Sequence, residues 1–247
     1  MLYTANYLLS APFINAYSQS DFFGKMIFWS LFLLSVVSWV VMIHKMRLTR
    51  KLKRESLHFE NFFAKNKQTL LRLKMEKMTS IAHPYFSIFS TLKERTLEIL
   101  NKNRFFIENL NHEEKEIYLS PEDIELIGSH MEATIAQQAK KLDKNLFVLS
   151  TIVTLAPFLG LLGTVWGILL TFSNLQTHSL SSGNSVVLSG LSMALATTVV
   201  GLIVAIPALV AYNYLKSSVK DLTGDMENFS HRLLTTVEIQ YRKVDVT

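Results

Sequence analysis

Three threonines have hydroxyl groups in positions where they could bind a polar ligand: Thr164, Thr197 and Thr198. They are the hydroxyl residues that lie deep in two long apolar stretches, beside glycines. A threonine in an apolar helix most often bonds the carbonyl one turn back in its own helix. Hydroxyls that line a ring of helices could instead bind water or orient an incoming carboxylate. The sequence alone ranks this second role below the first.

Residue patterns that carry catalysis or bind metals are missing. The chain has no cysteine, which excludes disulfides, thiolate metal sites and a thiol nucleophile but fits any compartment. His44 and His178 lie outside any metal-binding or catalytic spacing, and a His-Glu-x-x-His pattern is absent. The sequence therefore predicts no enzyme, with no catalytic residue, no metal and no cofactor.

The apolar stretches belong to a segment without charge. Residues 145–215 contain no Asp, Glu, Lys or Arg, although the chain has 25 Lys or Arg and 20 Asp or Glu. Within it, residues 147–172 and 186–212 each exceed the roughly 20 residues that cross about 30 Å of hydrocarbon. This pattern predicts a transmembrane hairpin. The hairpin supplies no acid of its own to relay protons.

A third apolar stretch, residues 26–43, is followed by a dense basic run. This order is typical of a retained anchor and not of a cleaved signal peptide. One Lys or Arg lies in residues 1–25 and 173–185 together, whereas residues 45–144 hold 19. The positive-inside rule therefore puts the N-terminus outside and the large loop in the cytoplasm. The net charge of +5 is then a topology signal and needs no nucleic-acid partner.

The predicted fold is an all-α polytopic membrane protein with three transmembrane helices, the second and third extended into a cytoplasmic helical bundle. Its segments in order are an outer N-terminal segment at 1–25, transmembrane helix 1 at 26–43, a cytoplasmic helical region at 44–146, transmembrane helix 2 at 147–172, an outer loop at 173–185, transmembrane helix 3 at 186–214 and a cytoplasmic C-terminal helix at 215–247.

Breaker and cap residues divide the cytoplasmic region. Pro84 predicts a break before a short helix, and residues 101–119 are predicted to be a charged connector. Ser120-Pro121-Glu122-Asp123 predicts a helix start, from which one helix of about 50 residues could run into the second span. Pro157 would bend it, and Gly224 could bend or break the last helix.

Small residues line one face of each hairpin helix. Lipid provides no hydrophobic drive between helices, so small residues allow the backbones to pack closely. These faces could pack within one chain or line the interior of an oligomer, and we favour a homo-oligomeric ring. The residues expected to pack or kink these helices are Pro157, Gly160, Gly163, Gly167, Gly190, Gly201 and Pro207.

Two motifs resemble the signatures of the MotA/TolQ/ExbB family of proton-channel stator subunits, with the TolQ and ExbB branches closest. They are LAPFLGLLGTVWGI at 155–168 and ALATTVVGL at 194–202, the latter continued by AIPA at 205–208. The resemblance spans nearly the whole chain and is specific in the hairpin. It implies a multi-pass protein of the bacterial inner membrane, with a periplasmic N-terminus and a cytoplasmic C-terminus.

The same resemblance implies partners. It implies a homopentamer around a single-span partner of TolR or ExbD type that carries a membrane aspartate, and transmission of work through a TolA- or TonB-like protein. Thr164 and Thr198 match family threonines, and Thr197 lies nearer the centre of the small-residue face. Met193 stands where TolQ and ExbB usually have a glutamate, so no glutamate role carries over.

Three functions therefore stay open at this point. The first is a TolQ-like stator in a proton-motive-force-driven motor, with ExbB-like energising of TonB-dependent uptake as a close alternative within the family. The MotA branch has four spans and fits less well. The second is a non-conducting membrane scaffold, and the third is a stand-alone channel or carrier, which the charge-free hairpin disfavours.

Overall fold

Helices account for nearly all of the described chain. The computed structural model describes residues 13–65, 83–109, 118–177 and 183–241, and no β-strand occurs among them. Residues 13–19 are helical, and the named helices are α1 (Phe22–Lys65), α2 (Pro84–Asn109), α3 (Pro121–Asp143), α4 (Leu146–Thr177) and α5 (Gly183–Tyr241). The predicted all-α fold class is confirmed.

Three of these helices are long and apolar enough to cross a membrane. The candidate spans are Phe22–Glu60, Leu146–Gln176 and Val187–Tyr241. In their most apolar windows only 17%, 33% and 44% of the residues are buried within the chain. The other apolar side chains therefore need lipid or further protein around them. The prediction of a three-span membrane protein is confirmed.

Contacts divide the chain into two units. The apolar unit comprises Met1–Met46 and Asn145–Leu215, and the bundle unit comprises Arg47–Lys144 and Lys216–Thr247. In the apolar unit, a small core joins all three candidate spans. Its buried members are Ile27 and Leu31 of α1, Ile152 and Ala156 of α4, and Val204, Ala205 and Ala208 of α5.

The bundle unit has a larger core of aliphatic and aromatic side chains. It is formed by the C-terminal parts of α1 and α5 together with α2 and α3. Phe63 lies at its centre, with ring centroids 4.8 Å from Phe89 and 5.2 Å from Phe229. The last helix contributes Leu222, Met226, Phe229, Leu233 and Val237, all of which are buried.

The predicted start signals of α2 and α3 are confirmed. α2 begins at Pro84, and α3 begins after an N-cap at Ser120. The Ser120 hydroxyl accepts from Asp123 N at 3.1 Å, and the Asp123 carboxylate accepts from Ser120 N at 3.0 Å. The predicted connector at 101–119 is wrong over its first nine residues, because α2 continues to Asn109. Phe105 and Phe106 are exposed there, so no apolar stripe marked the helix.

The predicted helix of about 50 residues is also wrong. α3 ends at Asp143 and α4 begins at Leu146, because Asn145 adopts a φ of 73° between them. Asparagine tolerates this left-handed conformation better than most residues do. α4 extends to Thr177 inside the predicted outer loop, whereas His178 lies outside the described residues. α5 runs through Gly224 without the break that the sequence allowed.

The break at Asn145 can be tested by substitution. Asn145→Gly removes the Cβ and keeps the positive φ without steric conflict. Asn145→Ala keeps the Cβ but loses the polar side chain that favours this conformation, which costs about 1 kcal/mol. We expect the alanine variant alone to lower the melting temperature of detergent-solubilised protein. Equal melting temperatures for the two variants would show that the backbone at this position relaxes freely.

His83 makes the stability of the bundle unit depend on pH. Its side chain is buried, and its ring stacks on Phe59 with centroids 4.8 Å apart. Burial lowers the pKa of His83 below its usual 6.5, and the Glu55 carboxylate 3.7 Å away opposes this only in part. The folded protein therefore binds this proton more weakly than the unfolded chain does.

Acidification should destabilise the bundle unit through His83. As pH falls from about 7.5 to about 5.5, the unfolded chain gains the proton first, so the free energy of unfolding decreases. His83→Phe keeps the stacked ring and should make the drop in melting temperature smaller. His231→Phe, at an exposed histidine of α5, is the control and should leave the drop unchanged. An identical drop in both variants would show that His83 does not cause the pH dependence.

Candidate ion-pathway site

α4 and α5 approach each other backbone to backbone. A Cβ added to Gly160 would lie 3.0 Å from the Thr197 carbonyl oxygen, and one added to Gly201 would lie 2.7 Å from that of Ala156. A Cβ on Gly167 would lie 2.7 Å from the Gly190 carbonyl oxygen. Glycine is therefore required at these contacts. The small-residue faces of the two helices pack against each other within one chain.

Thr197 lies in the centre of this contact. It is fully buried, and its side chain packs against Gly163. Its hydroxyl is within 2.9 Å of the Ala194 carbonyl, 3.1 Å of the Met193 carbonyl and 3.4 Å of the Gly160 carbonyl. The hydroxyl proton is thus shared among backbone carbonyls. No solvent reaches this side chain within the chain, so its position suits packing.

Thr164 and Thr198 are only half-buried. Thr198 donates its hydroxyl proton across to the Gly160 carbonyl at 3.1 Å, and Thr164 donates to Leu161 of its own helix at 2.6 Å. The Gly160 carbonyl points along α4 towards residue 164, so the two hydroxyls lie at a similar level. Both oxygens keep lone pairs that can accept from water or from a protonated carboxyl group.

Met193 and the two prolines occupy different surroundings. Met193 is buried, and its sulfur lies 2.7 Å from the point where a Cβ on Gly24 of α1 would be. Gly24 therefore leaves the space that this side chain fills. Pro157 is half-buried inside α4, and Pro207 is exposed inside α5. Their effect on helix direction stays a prediction, as does the pore-lining role of Met193.

Asp21 was missed by the sequence reasoning. One of its carboxylate oxygens accepts from the backbone N–H of Gly24 at 2.9 Å, and the other accepts from the indole N–H of Trp166 at 3.0 Å. The Trp166 ring also packs on Phe23, with centroids 4.4 Å apart. A signal was present, because Asp21 is the only acidic residue before Glu55. It was overlooked because it precedes the first apolar stretch.

Metal chemistry finds no support at this site. Among the described residues, no group of three or more His, Cys, Asp or Glu side chains could hold a metal ion. His44 is exposed on α1. The polar groups of the site are therefore three threonine hydroxyls, one indole and one carboxylate.

Residues 98–228 match the MotA/TolQ/ExbB proton channel family. The match covers just over half of the 247-residue chain. The chain belongs to this family. The resemblance stated from the two hairpin motifs is thereby confirmed, and the family is one of channels and not a known class of enzyme.

Relatives within the family carry both ExbB and TolQ names. The chain is 30% identical over 231 residues to a biopolymer transport protein ExbB of Pseudomonas putida, covering 90% of this chain and 62% of the relative. It is 42% identical over 92 residues to ExbB of Aquifex aeolicus, covering 37% of this chain and 62% of that protein. The Tol-Pal system protein TolQ of Haemophilus influenzae is 24% identical over 232 residues, covering 92% and 94%.

The glycine contacts lead to a test by matched substitutions. Gly163→Ala puts a Cβ 2.6 Å from Thr197 Cβ, so overpacking should lower the free energy of unfolding by about 1–3 kcal/mol. Gly224→Ala is the control, because nothing lies within 4 Å of its added Cβ. It should raise helix stability by up to about 1 kcal/mol.

Assembly provides the second readout for these variants. Gly163→Leu should also prevent formation of the native oligomer, because it separates α4 from α5. Native mass spectrometry of the detergent-solubilised protein measures the oligomer. A normal mass for Gly163→Leu, or unchanged stability for Gly163→Ala, would contradict the close contact.

Proposed function

We propose that this protein is a TolQ-like stator subunit of a proton-motive-force-driven motor in the bacterial inner membrane. Five copies form a ring around a single-span partner of TolR or ExbD type. The aspartate in the partner's span carries protons through the ring. Their passage moves the partner, which does work on the cell envelope through a TolA- or TonB-like protein.

One observation carries this proposal: the half-buried hydroxyls of Thr164 and Thr198 lie at a similar level on a hairpin that has no charged residue. Such a surface can accept from water or from a protonated carboxyl group, but it has no acid to carry a proton. The acid therefore comes from another element or another chain. Membership in a proton channel family supports the same conclusion.

The exposed apolar surface of α4 and α5 supports the oligomer. Large side chains on both helices are exposed in the single chain, including Phe158, Leu161 and Val165 on α4 and Leu195 and Ile206 on α5. Part of this surface faces lipid and part faces neighbouring copies in the proposed ring. The excess of Lys and Arg in residues 45–144 supports a periplasmic N-terminus, a cytoplasmic C-terminus and cytoplasmic regions at 44–146 and 215–247.

Two other functions have specific support. ExbB-like energising of TonB-dependent uptake is supported by the relatives named ExbB, of which this chain spans about 62% in length. A non-conducting scaffold is supported by Met193, because its thioether does not bind protons near neutral pH. This side chain is also packed against α1. Genes beside this one would distinguish the TolQ-like role from the ExbB-like role.

Proton uptake by reconstituted vesicles distinguishes a motor subunit, a stand-alone channel and a scaffold. The chain is reconstituted alone and as the complex purified from native membranes, and proton uptake is followed with a pH-sensitive dye under an imposed potential. The motor conducts only with its partner, a stand-alone channel conducts without it, and a scaffold conducts in neither sample. A co-purified single-span protein with one membrane aspartate would identify the partner.

The threonine hydroxyls should matter for transport. Thr164→Val and Thr198→Val each remove one hydroxyl at nearly constant volume, and we expect proton uptake by the complex to fall about tenfold. Thr154→Val is the control, because the exposed Thr154 hydroxyl bonds only carbonyls of its own helix, nearer the start of α4. Native mass spectrometry checks assembly. Wild-type uptake in both variants would remove the hydroxyls from the pathway.

A further inference from the structure

We propose that Asp21 is a proton-binding carboxylate of the pathway, supplied by this chain itself. This inference rests on the proposed function and adds a second acid to the partner's aspartate. Asp21 takes up a proton at one carboxylate oxygen and returns it to water or to a neighbouring carboxylate. Only an O–H bond forms and breaks in this step.

The depth of Asp21 is the first argument. Its indole partner, Trp166, lies six residues before Phe172, the end of the predicted second span, which is ~9 Å of helix rise. Met193 packs against Gly24, three residues after Asp21, and lies seven residues after Val186. With the span limits predicted from the sequence, Asp21 lies at a level inside the hydrocarbon although it precedes every apolar stretch. Ionisable groups at such depth are costly and commonly mark ion pathways.

The geometry of the carboxylate is the second argument. Donors from two helices hold it, since Gly24 N of α1 bonds one oxygen and the Trp166 indole of α4 bonds the other. Each oxygen keeps a lone pair that can take a proton. The only other charged residue of the Asp, Glu, Lys or Arg types between residues 13 and 44 is Lys25, one turn further along α1. The carboxylate is thus fixed in place and remains open to protonation.

A purely structural role explains only part of this arrangement. Asp21 caps the N-terminus of α1 through the Gly24 bond. Asparagine or serine would cap a helix about as well. An asparagine amide oxygen could also accept from the Trp166 indole. One amide oxygen cannot replace both carboxylate oxygens, so the two donors account for a carboxylate, and its depth is the feature that calls for a function.

A groove gives water a route to this level. It has a volume of about 590 Å³ and runs along α5 from Leu188 to Val199, opposite residues 13–19. Its polar lining consists of Asn15, Gln19, Ser189 and Ser192. Ser192 is next to Met193 in sequence, so the groove extends along α5 to the level at which Met193 packs against Gly24. Water in the groove can bring protons to this level, and the Asp21 side chain is itself partly exposed.

The decisive variant is Asp21→Asn, which keeps the shape and one of the two acceptor oxygens but removes the charge. The native complex is reconstituted in vesicles of phosphatidylethanolamine and phosphatidylglycerol, and proton uptake is measured with a pH-sensitive dye. We expect uptake to fall by about tenfold or more at unchanged oligomer mass. Asp143→Asn, at an exposed position outside the spans, is the matched control and should conduct like wild type.

Moving the carboxylate to a neighbouring position tests whether uptake needs an acid at this level or only the local structure around Asp21. Met193→Glu combined with Asp21→Asn puts an acid where the Met193 thioether now meets Gly24, and it should restore at least part of the uptake. Trp166→Phe keeps the carboxylate and removes only its indole partner, so uptake should persist. If Asp21→Asn changes the oligomer, Asp21→Ser, which keeps a helix cap without the charge, is measured in the same way and should show the same loss of uptake.

Two results would overturn the inference. One is wild-type uptake in Asp21→Asn, and the other is a loss in Trp166→Phe as large as that in Asp21→Asn, which would mean that the hydrogen bond and not the acid is needed. No uptake in the wild-type complex would instead refute the proposed function. The two failures are therefore distinguishable.

Discussion

The close approach of α4 and α5 is the constraint on which the apolar unit depends. Lipid gives no hydrophobic force between helices, so their association rests on van der Waals contact and a few polar bonds. Gly160, Gly167 and Gly201 each leave room for a backbone atom of the other helix, where a methyl group would not fit. Because the small faces pack inside one chain, the large apolar side chains point outwards.

The same packing decides which hydroxyl groups are enclosed and which remain partly exposed. Thr197 is enclosed by the contact and bonds backbone carbonyls, whereas Thr198 and Thr164 lie at its edge and remain half-buried. A hairpin packed this tightly has no space for a charged side chain at its centre. The acid beside it is Asp21, which directly precedes α1 and reaches the indole of Trp166, while Gly24 of α1 opens a space for Met193.

α5 shows how the packing rule changes along one helix. Between Gly190 and Ala208 its buried face consists mostly of small residues, with Met193 and Val204 as the larger members. From Leu215 to Val237 it consists mostly of leucine, methionine, phenylalanine and valine. Large apolar side chains stabilise a bundle in water because their burial removes hydrocarbon from water. They gain little from lipid, where closeness of backbones matters instead. The buried residues of α5 therefore become larger where its predicted surroundings change from lipid to water.

The sequence by itself determined the helical class, the three spans and the start of α3, because apolar patterning, missing charge and capping residues act locally. It did not determine the break at Asn145, since a positive φ leaves no periodic mark. It also did not predict that α2 continues to Asn109. Only the tertiary structure separated buried Thr197 from half-buried Thr198 and brought Asp21 to Trp166, because both depend on how distant helices pack.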